Sequence, residues 1–264
     1  MGSRGIASFN EPEGQKPTKK SLPTPFVQEF RRRLSEAMQT IDPATGITLG
    51  NSIGIYCFFD YDGEPIYVGQ TTERIATRVA RHMTGQRSDT VAYRILDPFE
   101  VAEIALWPIT TEKGAERTKI FDAAEYSVYV WAIQNSAFGA ILNEKLPPPS
   151  LNPVTPPEPF RFDLVPKELR EEREHPDVRI ARRAETLSRL AAVAHERGEV
   201  SDGLRRVIVI QAIRVAYLAA RRLAYAEHRS APPTSAIDMT ALVGKVLIAG
   251  DTESEPGDGA DSLD

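Results

Sequence analysis

The stretch IGIYCFFDYDGEPIYVG, residues 53–69, constrains this chain most. Two β-type runs, IGIYCFF and PIYVG, flank the acidic turn DYDGE. The Asp-Gly pair offers a position of positive φ, so the segment predicts an antiparallel hairpin. Side chains alternate along a strand. Ile55, Cys57 and Phe59 are expected on one side, with Tyr56 and Phe58 on the other. On the partner strand Ile66 and Val68 are expected together, opposite Tyr67. The two tyrosines would then share a polar or helix-distant face while the aliphatic residues are buried. Gly54 and Gly69 remove side chains where a backbone strand or a phosphate can approach.

Around this hairpin the pattern is mostly helical. FVQEFRRRLSEAMQTI carries Phe26, Phe30, Leu34 and Met38 at intervals of four, one apolar stripe. After the hairpin, TTERIATRVARHM predicts a helix capped by Thr71 or Thr72, with Ile75, Val79 and Met83 on one face. VAEIALWPI (101–109) reads as a third strand, and Pro108 places its end at an edge or exit. Residues 115–135 predict a long helix with Ile120, Ala124, Val128 and Trp131 inward. The proline-rich run 146–166 reads as a stiff linker or strap. Beyond it, 167–196 and 204–229 read as two helices, with Arg206, Arg214 and Arg221 along one side of the second; 234–250 adds a short one. The expected class is α+β: a small mixed or antiparallel three-stranded sheet flanked by helices, with an N-terminal helix and a C-terminal helical extension. The expected organisation is an arm over 1–25, a helix and connection over 26–49, a core over 50–145, the linker 146–166, the extension 167–250 and an acidic tail over 251–264.

Composition narrows the function classes. The single Cys57 excludes an internal disulfide and an all-cysteine zinc site, and it reads as a small buried residue. With no apolar N-terminal run and with Arg214, Arg221 and Arg222 interrupting the most apolar stretch, the expectation is a cytoplasmic protein with no membrane partner. The net charge of −5 conceals an uneven distribution. The tail DTESEPGDGADSLD holds six acids and no base, and without it 32 basic residues face 31 acidic ones. Residues 70–94 carry Arg74, Arg78, Arg81, Arg87 and Arg94 against only Glu73 and Asp89. Such a basic segment beside the tyrosine hairpin suits a phosphate-bearing partner.

Gly54-Ile55-Tyr56, ten intervening residues, then Tyr67-Val68-Gly69, followed by Arg78 and His82, resemble the GIY-YIG nuclease superfamily. The resemblance extends over about residues 50–145, with VAEIALWPI as the family's third strand, Glu125 on its glutamate-bearing helix and Asn143 as its motif asparagine. It implies a metal-dependent endonuclease that hydrolyses DNA phosphodiesters, leaving 5′-phosphate and 3′-hydroxyl ends, with Mg²⁺ as the ion and Mn²⁺ as a substitute. Carried over, Tyr56 deprotonates or orients the attacking water, and Tyr67 holds the scissile phosphate or shapes the site. Arg78 contacts the phosphate, His82 assists the tyrosine network, Glu125 ligates the metal, and Gly54, Gly69 and Asn143 support them.

The residue chemistry is consistent with that assignment. Mg²⁺ keeps waters and takes phosphate oxygens, so one carboxylate on a rigid helix can hold it; Glu125 is the first candidate, Glu116 and Glu112 the reserves. Arg78 and His82 are four apart and share a helical face, and a guanidinium fork suits phosphate oxygens. A tyrosine titrating near about 10 is a poor base unless a metal-bound water or a cation lowers the cost of proton transfer. Arg74, Arg81, Arg87 and Arg94, with Arg31, Arg32 and Arg33 of the N-terminal helix, are the expected DNA contacts. A core decorated with extra helices looks like a stand-alone GIY-YIG restriction enzyme, and cutting both strands implies a homodimer or sequential nicking. The alternatives are a repair, mobile-element or defence nuclease that reads DNA structure or single strands, a catalytically inactive DNA-binding module, and a helical adaptor.

Overall fold

The structure, a computed structural model, describes residues 23–84, 95–111, 114–150 and 155–246. The N-terminal arm up to residue 22, the acidic tail, and Arg87, Arg94 and Glu112 lie outside the described residues. The class is α+β, as expected, with seven α-helices and a four-stranded antiparallel sheet among the described residues. No helix among them is long and apolar enough to cross a membrane.

Helix α1 (Pro25–Gln39) buries Phe26, Phe30 and Met38, the expected stripe. Strands β1 (Ile53–Phe59) and β2 (Pro65–Thr71) form the hairpin. In its turn Gly63 adopts φ 73°, and the Asp60 carboxylate accepts from the Asp62 and Glu64 backbone N–H groups. Strand β3 (Glu103–Ile109) pairs antiparallel with β1, so β1 is central and β2 is an edge. The fourth strand, β4 (Phe160–Asp163), comes from the proline-rich run read as a linker or strap. It reaches only Leu106 of β3, and Pro108, which cannot donate, lies beyond it where the ladder has ended.

Several expectations are corrected. Helix α2 (Ile75–Thr84) begins after the proposed caps. Thr71 still belongs to β2, where its hydroxyl accepts from the Glu73 N–H, and the Ser52 carbonyl accepts from the Ile75 N–H. The sheet has no open tyrosine face. Tyr56 and Phe58 pack with Ile75 and Val79 of α2 in the larger core, while Ile55, Cys57, Phe59 and Val68 pack under helix α3 (Ala115–Asn135). Ile66 does not share a side with Val68. The register slips so that Phe58 faces Tyr67 and Phe59 faces Pro65, and the extra residue Ile66 drops into the Tyr56 core. On α3 the buried stripe is Phe121, Val128, Tyr129 and Ala132; Ile120 is 42% exposed.

The C-terminal region is three main helices, because Pro176 breaks the first expected one. They are α4 (Lys167–Glu174), α5 (Pro176–Arg197) and α6 (Asp202–Ala226), followed by the short α7 (Met239–Val243). Leu190 and Val193 of α5, and Leu204, Val207 and Ile210 of α6, share a hydrophobic cluster with Tyr56 and Ile66. Arg214 is not on a solvated side: it is 2% exposed. Its guanidinium donates to Asp60 at 2.7 Å, where Arg183 donates at 2.8 Å and Arg179 approaches to 3.2 Å. Arg183 also binds Glu100, and Arg179 binds Asp62. The hairpin's acidic turn is therefore fastened to α5 and α6 by buried ion pairs. Burial alone would raise the Asp60 carboxyl, but Arg214, Arg183 and Arg179 outweigh it and hold it below the usual carboxylate range.

Candidate active site

The two glycine–tyrosine motifs form one packing unit. Tyr56 and Gly69 face each other across β1 and β2. A Cβ on Gly69 would stand 2.4 Å from both Cζ and the hydroxyl of Tyr56, so only glycine lets that ring lie back across β2. Gly54 has the same kind of role at the margin, where a Cβ would meet the Trp107 carbonyl oxygen at 2.1 Å.

Helix α2 brings two side chains onto this unit. The Tyr56 hydroxyl and His82 Nε2 are 2.8 Å apart, and the imidazole tautomer decides which one donates. Tyr67 completes the group, its ring 5.2 Å from His82 and 6.4 Å from Tyr56. Arg78, one turn before His82, hydrogen-bonds Tyr56. Burial works against its charge, but Tyr56, Tyr67 and Glu73 outweigh that and raise its pKa, so it stays a cation. Tyr56 and His82 are buried, whereas Tyr67 and Arg78 are half-buried.

On the other face of β2 stands Glu125. It falls on the inward stripe of α3, four residues after Phe121 and three before Val128, a place an apolar side chain would normally take. Its carboxylate accepts from the Gln70 backbone N–H. Burial, then the like charge of Asp122, push its pKa up to about 7, against the pull of Arg78 and Lys145. The Gln70 side chain donates to Asp122 at 3.5 Å. Arg78 from one face and Glu125 from the other thus act on each other at the edge strand.

Asn143 holds that strand in place. Its Nδ2 donates to the Val68 carbonyl at 2.7 Å and its Oδ1 accepts from the Val68 N–H at 3.0 Å. One buried amide thereby satisfies both outward groups of Val68, between Tyr67 and Gly69. Lys145, two residues on, enters the charge field of Glu125.

Of the expected residues, Gly54, Tyr56, Tyr67, Gly69, Arg78, His82, Glu125 and Asn143 thus gather on or beside β2. The expected DNA contacts do not all join them. Arg32 pairs with Glu29 and Glu36, and Arg33 with Glu29, all within α1. Arg31 lines a cavity of about 1090 Å³ bounded by α1, α2 and α5. Arg81 pairs with Glu73, while Arg74 is exposed. The reserve Glu116 bridges Lys119 at 3.0 Å on the surface. Gln70, Asp122 and Lys145 were missed by the sequence reading. Asp122 had a usable signal, a second carboxylate one helical turn before Glu125. No family model, curated protein or solved structure matches the chain, so the site stands on its own geometry.

Proposed function

We propose that the chain is a metal-dependent endonuclease that hydrolyses DNA phosphodiesters to 5′-phosphate and 3′-hydroxyl ends, in the manner of the GIY-YIG enzymes it resembles, with sequence-specific restriction as its role. The observation that carries this reading is the Tyr56–His82 pair, 2.8 Å apart, with Arg78 beside it on the same helix face and the desolvated Glu125 within Arg78's charge field across the edge strand. A phosphodiester needs a cation on its oxygens, a route for the water's proton and relief at the leaving oxygen. Arg78 supplies the first as a fixed fork. Tyr67, half-buried, shapes the phosphate side.

The proton route runs inward. Tyr56 has no exposed surface and its hydroxyl is engaged by His82, so it works as the first member of a Tyr56–His82 relay behind the reacting groups. The carboxylates fit a divalent ion. Glu125 is desolvated beside Asp122, a surplus of negative charge that a cation at this point would relieve. Among the described residues no cluster of three or more His, Cys, Asp or Glu side chains could cage an ion. The fitting ion is therefore one content with few protein ligands, as Mg²⁺ is, with Mn²⁺ as a substitute. When bound, it would supply Lewis-acid stabilisation of the phosphate and leaving oxygen.

The test is incubation of the full chain with plasmid, linear duplex and single-stranded DNA, with Mg²⁺, with Mn²⁺ or with chelator. Discrete metal-dependent fragments from duplex are expected. Cuts that follow DNA structure would move the role to repair or defence. Absence of cleavage on every substrate and with either metal would sink the nuclease reading.

A further inference from the structure

Beyond the tyrosine site, at the end of the hairpin away from its turn, an open groove of about 450 Å³ runs between the 45–53 connection, the 72–74 turn and the start of α3. Its polar wall includes Asn51, Ser52, Thr72 and Thr110, with the guanidiniums of Arg74 and Arg117. Ile47, 49% exposed, provides an apolar rim. Charge is unbalanced here. Among the described residues the one acid in the lining, Glu73, already pairs with Arg81. Neither Arg74 nor Arg117 makes an ion pair with any of the described residues.

Arg117 is also held in position. Its Nη2 donates to the Thr72 carbonyl at 2.7 Å, and its guanidinium lies 5.7 Å from the centre of the Phe121 ring. Its Nε is buried without an acceptor among the described residues. A cation partly withdrawn from water and given no counter-charge by the described residues is costly unless a ligand provides one. An orienting contact on one side with an open groove on the other is what a phosphate-binding arginine needs.

The placement relative to Glu125 names the occupant. Arg117 and Glu125 are on one helix, eight residues apart, or about 12 Å along its axis. A nucleic-acid strand advances about 3.4 Å per nucleotide, so the separation corresponds to about three or four nucleotides. We infer that the groove is a phosphate subsite for the DNA strand being cut, with Arg117 and Arg74 holding a backbone phosphate a few nucleotides from the one at Glu125. The subsite rests on the nuclease reading and extends it: it sets the strand's path and register and carries no base information.

The experiment is fluorescence anisotropy with the full chain in chelator and a short labelled duplex, read across a salt series. R117Q and R74Q should each weaken binding about tenfold and reduce the slope of log affinity against log salt by about one. R117K should keep the slope, because the charge remains, while losing affinity with the fork. R189Q, whose parent arginine pairs with Glu185 on α5, should change neither quantity. Melting temperatures show whether R117Q disturbs the fold; Arg74 is exposed, so R74Q stands as the independent variant. Wild-type affinity and slope in both glutamine variants, with DNA still bound in chelator and cut in a parallel Mg²⁺ assay, would overturn the subsite and leave the nuclease reading intact. Failure of wild type to bind or cut any DNA would overturn both.

Discussion

The two ends of the tyrosine hairpin treat charge in opposite ways. At the turn, Asp60 sits among Arg179, Arg183 and Arg214, and its carboxyl is held below the usual range. At the other end Glu125 sits beside another carboxylate with its pKa pushed up to about 7, and Arg74 and Arg117 line a groove where, among the described residues, the one acid, Glu73, already pairs with Arg81. Both ends draw acids and arginines partly out of bulk water, but among the described residues only one balances them. The balanced end holds the hairpin against α5 and α6. The unbalanced end lacks the charges that a metal and a phosphate would bring, which is why it is the candidate for chemistry.

The largest effect should come from breaking the balanced end. Asp60→Ala leaves three buried guanidiniums around an empty place and should destabilise the fold by about 3–5 kcal/mol in denaturant melts. A loss within the range of ordinary surface changes would mean that the cluster is not fully formed. The pH dependence has a definite sign. Asp60's folded pKa lies below its unfolded one, so its stabilisation is present above the ordinary carboxylate range and is lost as pH falls through the lower folded value. Acid unfolding should therefore flatten in Asp60→Asn.

Glu125→Gln should do the reverse at the other end. The raised carboxyl favours the protonated folded state, so its contribution is complete below the ordinary pKa of 4.5 and fades as pH rises through about 7. Above that pH, without metal, Glu125→Gln should be more stable than wild type by up to about 3 kcal/mol. It should also cut about a thousandfold more slowly, since the charge stabilisation from a bound metal is several kcal/mol. Mg²⁺ should raise the melting temperature of wild type and not of the variant. Equal stabilisation of both by Mg²⁺ would move the metal away from Glu125.

Gly69→Ala comes next. Its methyl would press on the Tyr56 ring, an overpacking that costs about 1–3 kcal/mol and turns the ring away from His82. Unchanged stability with unchanged cleavage would show that Tyr56 has another place to go.

Much of this was legible in the sequence, for reasons that differ by residue. The hairpin, the α1 stripe and the Arg78–His82 face follow from local periodicity and turn chemistry. The α3 register was misread because Ile120 and Phe121 are adjacent and either could begin an apolar stripe. Starting at Phe121 puts Glu125 on the inward face, and a lone acid in that position is itself a functional signal. Strand β4 was hidden by the prolines around it: FRFD itself holds none, but Pro156, Pro157, Pro159 and Pro166 flank it, and it pairs with the outer edge of β3. Arg214 was read as one of three arginines along a side of its helix because its partner, Asp60, lies 154 residues away in the sequence. Such long-range pairing has no local period to reveal it.

The sharpest test of the unbalanced end is Tyr56→Phe. The ring, which packs against Gly69, Phe58 and the α2 core, keeps its shape in the variant. Only the hydroxyl is lost, and with it the 2.8 Å contact to His82 and the hydrogen bond with Arg78, so stability should fall by about 1–3 kcal/mol. If Tyr56 and His82 pass the proton, single-turnover cleavage should drop by a factor of about 10²–10⁴, the usual range for a positioned acid–base group, while DNA affinity stays constant. His82→Gln should then add little further loss in the double variant, because two members of one relay fail together. Independent, multiplying losses would separate the pair into two roles, with His82 on the phosphate side and Tyr56 alone on the water.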